Sequence, residues 1–173
     1  ENSILFEIIK SQILNNENLN LDIDLNIAKL KNFNHLNNLI IKIGIQEGNI
    51  ILSNSNLMWK NDLKITLKES FLNYDDEDVK LIGKLNFDYK NINNFYKSFQ
   101  VNKKNRKDIK QIEIDFVYSF TSKKVSFDNA KVNNSSNTSL EKFINKFNIN
   151  KSKLTNRVVF KNFINNFFNA YDG

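Results

Sequence analysis

Leu39–Lys68 reads LIIKIGIQEGNIILSNSNLMWKNDLKITLK, and its periodicity decides the fold. Leu39, Ile41, Ile43 and Ile45 stand two apart, the spacing of a strand with one buried and one wet face. Gln46-Glu47-Gly48-Asn49 supplies turn chemistry. The chain then returns through Ile50–Trp59 with poorer alternation, which predicts a bulge or irregularity near Asn54–Asn56. Lys60-Asn61-Asp62 turns again, and Leu63, Ile65 and Leu67 oppose Lys64, Thr66 and Lys68. Strands joined this closely form an antiparallel meander.

The same pattern extends outward in both directions. Leu19, Leu21, Ile23, Leu25 and Ile27 alternate with Asn and Asp. Beyond a polar connection at Tyr74–Asp78, the residues Val79, Leu81, Gly83, Leu85, Phe87 and Tyr89 share a face. Ile112, Ile114, Phe116, Tyr118 and Phe120 mark a further strand, and Val125–Val132 follows the Ser122-Lys123-Lys124 turn. Three segments change to helical spacing. They are Ile92, Phe95, Tyr96 and Phe99; Leu140, Phe143, Ile144 and Phe147 behind a capping box at Thr138–Glu141; and about Asn156–Tyr171, with Gly173 as a C-cap. Apolar residues four apart favour a helix over Ile4–Leu14. The expected fold is α+β and mainly β: a curved antiparallel meander with about three amphipathic helices on or beside its apolar face. One domain over 1–173 is expected, with an N-terminal segment 1–18, a sheet 19–132 carrying a helix at 92–101, and C-terminal helices in 133–173. Asn133–Thr138 is its weakest point.

Does such a chain cover its own apolar face? About eight strands near 4.8 Å apart and near 20 Å long present roughly 750–800 Å². Three helices about 10 Å wide and roughly 15–24 Å long shield roughly 500–600 Å². A face near the limit of self-coverage has room for a partner, a neighbouring repeat or a lipid chain.

Composition narrows the chemistry. The net charge is +6, with 25 Lys+Arg against 19 Asp+Glu, which invites a polyanion reading. Lysine surplus has a second source, because Asn, Lys, Ile and Phe are heavily used while Pro is absent and Gly numbers 4, as AT-rich codons dictate. Cysteine is absent, so disulfides and thiolate metal sites are excluded, and His35 alone makes no multi-His site. No apolar run reaches the roughly 18–20 residues of a membrane span. The chain begins at Glu1 without Met, as a fragment or processed chain would.

The charged clusters read as solvated surface. Lys103, Lys104, Arg106, Lys107 and Lys110 join a helix to a strand without interleaved aromatics, which single-strand stacking requires. Lys103, Lys104, Arg106 and Lys107 are the candidates for touching anionic headgroups. Asp75-Asp76-Glu77-Asp78 lacks the spaced oxygens and central Gly of a calcium loop. Asp22 with Asp24, and Glu113 with Asp115, lie along single strands rather than across a substrate cleft. His35 sits in a polar loop, and Trp59 is expected in the core or packing a bulge.

The order of pieces resembles the AsmA-like proteins of the bacterial envelope, particularly their C-terminal regions. The resemblance rests on Ile43–Leu72, IGIQEGNIILSNSNLMWKNDLKITLKESFL, followed by LIGKLNFDY at Leu81–Tyr89. FYKSFQ at Phe95–Gln100, FDNAKV at Phe127–Val132 and the closing FKNFINNFFNAYDG are similar to that family too, so it covers the chain from about Leu19 onward. It implies a periplasmic protein held to the inner membrane by an anchor outside this chain, serving outer membrane biogenesis. Its long β-groove would carry phospholipid, with neighbouring repeats or envelope proteins as further partners. No catalytic motif, cofactor or nucleic acid is implied. The prominent helices depart from a simple groove repeat and suit a terminal cap. Alternation makes Leu63, Ile65, Leu67, Leu81, Leu85, Phe87, Ile114, Phe116 and Tyr118 the candidates for facing lipid. The leading expectation is therefore a non-enzymatic lipid-guiding domain. A structural cap or interaction module and a basic nucleic-acid binder are the alternatives.

Overall fold

The computed structural model describes residues 16, 18–31, 35–75, 78–146, 148–150 and 156–173. Ten strands form one antiparallel sheet: β1 (Leu21–Lys29), β2 (Leu36–Gln46), β3 (Asn49–Ile51), β4 (Asn56–Trp59), β5 (Leu63–Asp75), β6 (Asp78–Tyr89), β7 (Gln111–Ser119), β8 (Lys124–Val132), β9 (Ser135–Ser136) and β10 (Asn148–Asn150). The spatial order is β1-β2-β3-β5-β6-β7-β8-β10, with β4 also between β2 and β5 and with β9 on β8. This is the expected mainly-β meander. Helices α1 (Ile92–Phe99), α2 (Thr138–Ile144) and α3 (Arg157–Ala170) complete it, with a 3₁₀ turn at Lys103–Asn105.

Local chemistry explains the connections. Glu47 and Gly48 both have positive φ, 49° and 78°, the conformation that lets a two-residue hairpin follow strand twist. The return strand breaks between β3 and β4, where Asn54 takes φ 69°. Asn91 caps α1 by accepting from the N–H groups of Asn93 and Asn94. Asn156 does the same for α3 with Val158 and Val159.

Several boundaries differ from the sequence reading. Of the Tyr74–Asp78 connection, Tyr74, Asp75 and Asp78 lie in strand, because β5 and β6 pair as far as Asp75↔Asp78. The cap of α2 is Asn137, one residue earlier than Thr138, and its side chain accepts from Leu140 N–H. Helix α3 stops at Ala170 with extended Tyr171 as its C-cap, so Gly173 lies beyond the cap. Within Asn133–Thr138, the left-handed Asn133 and Asn134 fold the chain back onto β8 as β9. The helix expected at Ile4–Leu14 and the place of Phe147 lie outside the described residues.

Three bulges set which side chains face the core. They sit at Asn38, Glu69 and Asn129, each left-handed and each at a register shift. The middle one matters most. Leu63, Ile65 and Leu67 face the helices, and past Glu69 the parity reverses, so Leu72 joins Leu81 on the core side while Phe71 turns outward and is 42% exposed. Ser70, within the register shift, is buried against Gly83, whose lack of a Cβ leaves it space.

Candidate functional site

The apolar face runs unbroken across the sheet. Across β5, β6 and β7, Leu63, Ile65 and Leu67 oppose Tyr89, Phe87 and Leu85, which in turn lead to Ile112 and Ile114. Gly83 and Leu81 continue to Phe116 and Tyr118. Toward the first strand, Leu72 opposes Ile50, Ile50 opposes Ile45, and Ile45 opposes Leu21. Ile43, Ile41 and Leu39 then face Ile23, Leu25 and Ile27. Directly opposed residues share a face, so both ends of the sheet turn one apolar side the same way.

The helices cover one end of that side. Trp59, Leu63, Ile112, Ile114, Phe116, Val125, Ala130 and Val132 form a single buried cluster with Phe95, Tyr96, Leu140, Ile144, Phe163, Phe167 and Phe168 from the helices. Edge-on ring contacts join Trp59 of the sheet to Phe95 at 5.2 Å, and helix α1 to α3 through Tyr96–Phe168 at 4.9 Å and Phe99–Phe160 at 5.6 Å between centroids. Of the candidates for facing lipid, Leu63, Ile114 and Phe116 are buried in this core, and Ile65, Leu67, Leu81, Leu85, Phe87 and Tyr118 pack against it half-buried. All nine lie on one face of the sheet. The helices also lie on that face.

Among the described residues the other end is thinly covered. Helices of 8, 7 and 14 residues are about 12, 10 and 21 Å long, and shade roughly 430 Å² at about 10 Å width. Eight lanes of strand at about 4.8 Å and about 20 Å long amount to roughly 770 Å². The buried cluster and its half-buried neighbours extend to Leu36 and Trp59 and include no residue of β1. Leu21, Leu25 and Ile27 are 42%, 44% and 37% exposed. They are three of the five large apolar side chains left exposed among the described residues, which makes β1 the main apolar exposure. Alternation alone made β1 look like the inner strands, and its place at the outside of the described sheet comes from the strand order in space.

The basic stretch is an ordered connection. Val101 and Ile109 anchor it in the core, each 1% exposed. Tyr96 Oη donates to Lys107 O at 2.9 Å and accepts from Lys107 N–H at 3.2 Å. Burial pushes the Tyr96 phenol up to about 12, against the opposing effect of its bond to the Lys107 backbone. Arg106 Nε donates to Val101 O at 3.0 Å, while Lys103, Lys104, Lys107 and Lys110 are exposed. The four headgroup candidates therefore share one loop, three of them free to reach solvent and Arg106 tied back by its guanidinium.

Among the described residues the carboxylates engage separate neighbours. Glu113 pairs with Lys68 at 3.5 Å, Asp115 accepts from Asn129, and Asp24 lies 3.9 Å from Lys42. Asp22 and Asp24 border an open depression of about 640 Å³ on the polar side, with Lys42, Gly44 and Ser53. His35 is exposed, and its carbonyl accepts from Lys60 N–H. Among the described residues no cluster of three or more His, Cys, Asp or Glu is arranged to hold a metal ion. No described helix is long and apolar enough to cross a membrane. Scanning the chain against protein-family models gave no match, and searches of curated proteins and of solved structures gave none either.

Proposed function

We propose that this chain is a non-enzymatic, helix-capped end of a lipid-guiding β-sheet in a periplasmic protein anchored to the bacterial inner membrane. One observation carries the reading: a single apolar sheet face passes from a helix-covered half into a half whose outermost strand leaves Leu21, Leu25 and Ile27 exposed. Burying such side chains gains about 25 cal/mol per Å² of apolar area, so an acyl chain laid along β1 and β2 is stabilised there. The covered half closes the trough. Lys103, Lys104 and Lys107 offer cations to anionic headgroups, each worth about 1 kcal/mol near a charged membrane surface. The AsmA-like resemblance supports the envelope setting.

The second reading is a structural cap with no lipid contact. It is favoured by the burial of Leu63, Ile114 and Phe116 beneath the helices. Photo-crosslinking side chains at Leu25, Phe116 and Asp24 separate the two in cells. The lipid-guiding reading expects lipid on Leu25, the chain's own helices around Phe163–Phe167 on Phe116, and no lipid on Asp24. Lipid on neither Leu25 nor Phe116 leaves the structural cap. Equal lipid labelling at Leu25 and Asp24 overturns the assignment of an apolar lipid-facing side.

A further inference from the structure

Strand β1 has a second property, independent of lipid: among the described residues its outer edge is open. Among the described residues it pairs with β2 alone, in register from Leu21↔Ile45 to Lys29↔Asn37. Nine residues at about 3.4 Å each give an open edge of about 30 Å. Natural edge strands are blunted by proline, bulges, brevity or charges on the inward face. β1 has no proline and no bulged residue of its own, and its apolar side carries only Lys29, at its end. The far side of the sheet is different. There β10 occupies β8 over Lys124–Ser126, β9 occupies it over Lys131–Val132, and the bulge at Asn129 interrupts what lies between. Among the described residues the sheet has one long open edge.

We infer that β1 joins β1 of a second copy in an antiparallel, two-fold pair. With one open edge among the described residues, edge pairing builds no filament, and the closed arrangement it allows is isologous. Its residues fit that symmetry. With the axis through Leu25, the midpoint of Leu21–Lys29, the apolar side matches Leu25 with Leu25, Ile23 with Ile27 and Leu21 with Lys29. The polar side matches Asp24 with Asn26 and Asp22 with Ala28, so no aspartate faces another. Centring on Asp24 would oppose two aspartates, and centring on Ile23 would set Asp22 against Asp24. The full-length register is thus free of like-charge pairs, and it joins the apolar faces of the two copies into one continuous surface.

Analytical ultracentrifugation of the purified chain over a concentration series tests this. A monomer–dimer equilibrium is expected. Leu25→Lys puts two ammonium groups at the axis and should raise the dissociation constant by about a hundredfold. Because Leu25 is exposed, circular dichroism of the variant should match the wild type. Ile23→Lys and Ile27→Glu should each weaken self-association, and their mixture should restore a heterodimer, since the register sets residue 23 against residue 27. A chain that stays monomeric at every concentration overturns the proposal and leaves the edge to a foreign strand. So does a dimer indifferent to Leu25→Lys and without the mixed-pair preference, since it would form through another surface.

Discussion

Replacing Gly83 by Ala probes the pinch at the centre of the sheet. A Cβ on Gly83 would lie 2.0 Å from Ser70 Oγ, 2.6 Å from Ser70 Cβ and 2.7 Å from Ser70 Cα. Carbon atoms in ordinary contact sit about 3.5–4.0 Å apart, so the two strands must separate by about 1 Å. Rotating the serine hydroxyl does not relieve this, because the clash reaches the backbone. Ser70 cannot drift freely either. Its N–H donates to Ser53 Oγ at 2.9 Å, its hydroxyl donates to Lys68 O at 2.8 Å, and its carbonyl accepts from Leu52 N–H at 2.7 Å. Overpacking of this kind costs about 1–3 kcal/mol, and a lost hydrogen bond adds about 0.5–1.5. The expected loss is about 2–4 kcal/mol, or a fall in Tm of roughly 5–15 °C for a domain of this size. Urea unfolding followed by circular dichroism measures it. Gly44→Ala is the control: the nearest contact of its Cβ is Asp22 Oδ1 at 3.4 Å, so stability should stay within about 0.5 kcal/mol. Adding Ser70→Gly to Gly83→Ala removes the two side-chain clashes and should recover part of the loss, with a coupling of about 1 kcal/mol. Gly83→Ala within about 0.5 kcal/mol of wild type would refute the argument from close approach at the Glu69 bulge.

Phe168→Ala should cost about 3–5 kcal/mol in chemical unfolding, because the ring is 1% exposed among Phe95, Tyr96 and Phe167, whereas Phe71→Ala on the outward side should cost far less. Changing Lys103, Lys104, Lys107 and Lys110 to Gln should alter stability by less than about 0.5 kcal/mol each; Arg106→Gln adds about 0.5–1.5 through its bond to Val101. Any duplex binding should stay non-specific and salt-sensitive throughout, and tight sequence-selective binding at physiological salt would sink the envelope reading. Hydrogen bonds from Ser139 and Asn137 hold the Asp172 carboxyl below the usual carboxylate range. A depressed folded pKa contributes stability that is full above the unfolded value and is lost as pH falls through the folded one. Asp172→Asn should therefore flatten the acid limb of a pH–stability profile below about pH 4. Tyr96 titrates in the opposite sense: its raised pKa favours the fold up to about pH 10 and loses that contribution as pH rises to about 12, so Tyr96→Phe should soften the alkaline limb.

Period-two alternation by itself determined the meander and which residues share a face within each unbroken strand, because successive side chains must point to opposite sides of a pleat. That is why Val79 to Tyr89, or Ile112 to Tyr118, could be assigned from spacing alone, and why three-and-four spacing marked Ile92–Phe99 and the Arg157–Ala170 helix. Turn chemistry was equally local at Glu47-Gly48, where two positive φ values follow a recognisable pair. Poorer alternation marked the strand break near Asn54–Asn56, but the three bulges were not legible. Asn38, Glu69 and Asn129 adopt left-handed backbones because neighbouring strands hold them there, and the reversal at Glu69 sends Phe71 outward against the pattern set by Leu63–Leu67. Nor could spacing tell how much of the apolar side the helices would cover, since coverage depends on where α1, α2 and α3 dock rather than on their own amphipathicity. Docking buried Ile114 and Phe116 and left Leu21, Leu25 and Ile27 exposed, although all five alternate in the same way. Only the order of strands in space distinguishes a central strand from an edge, and that order is fixed by contacts between residues far apart in the chain.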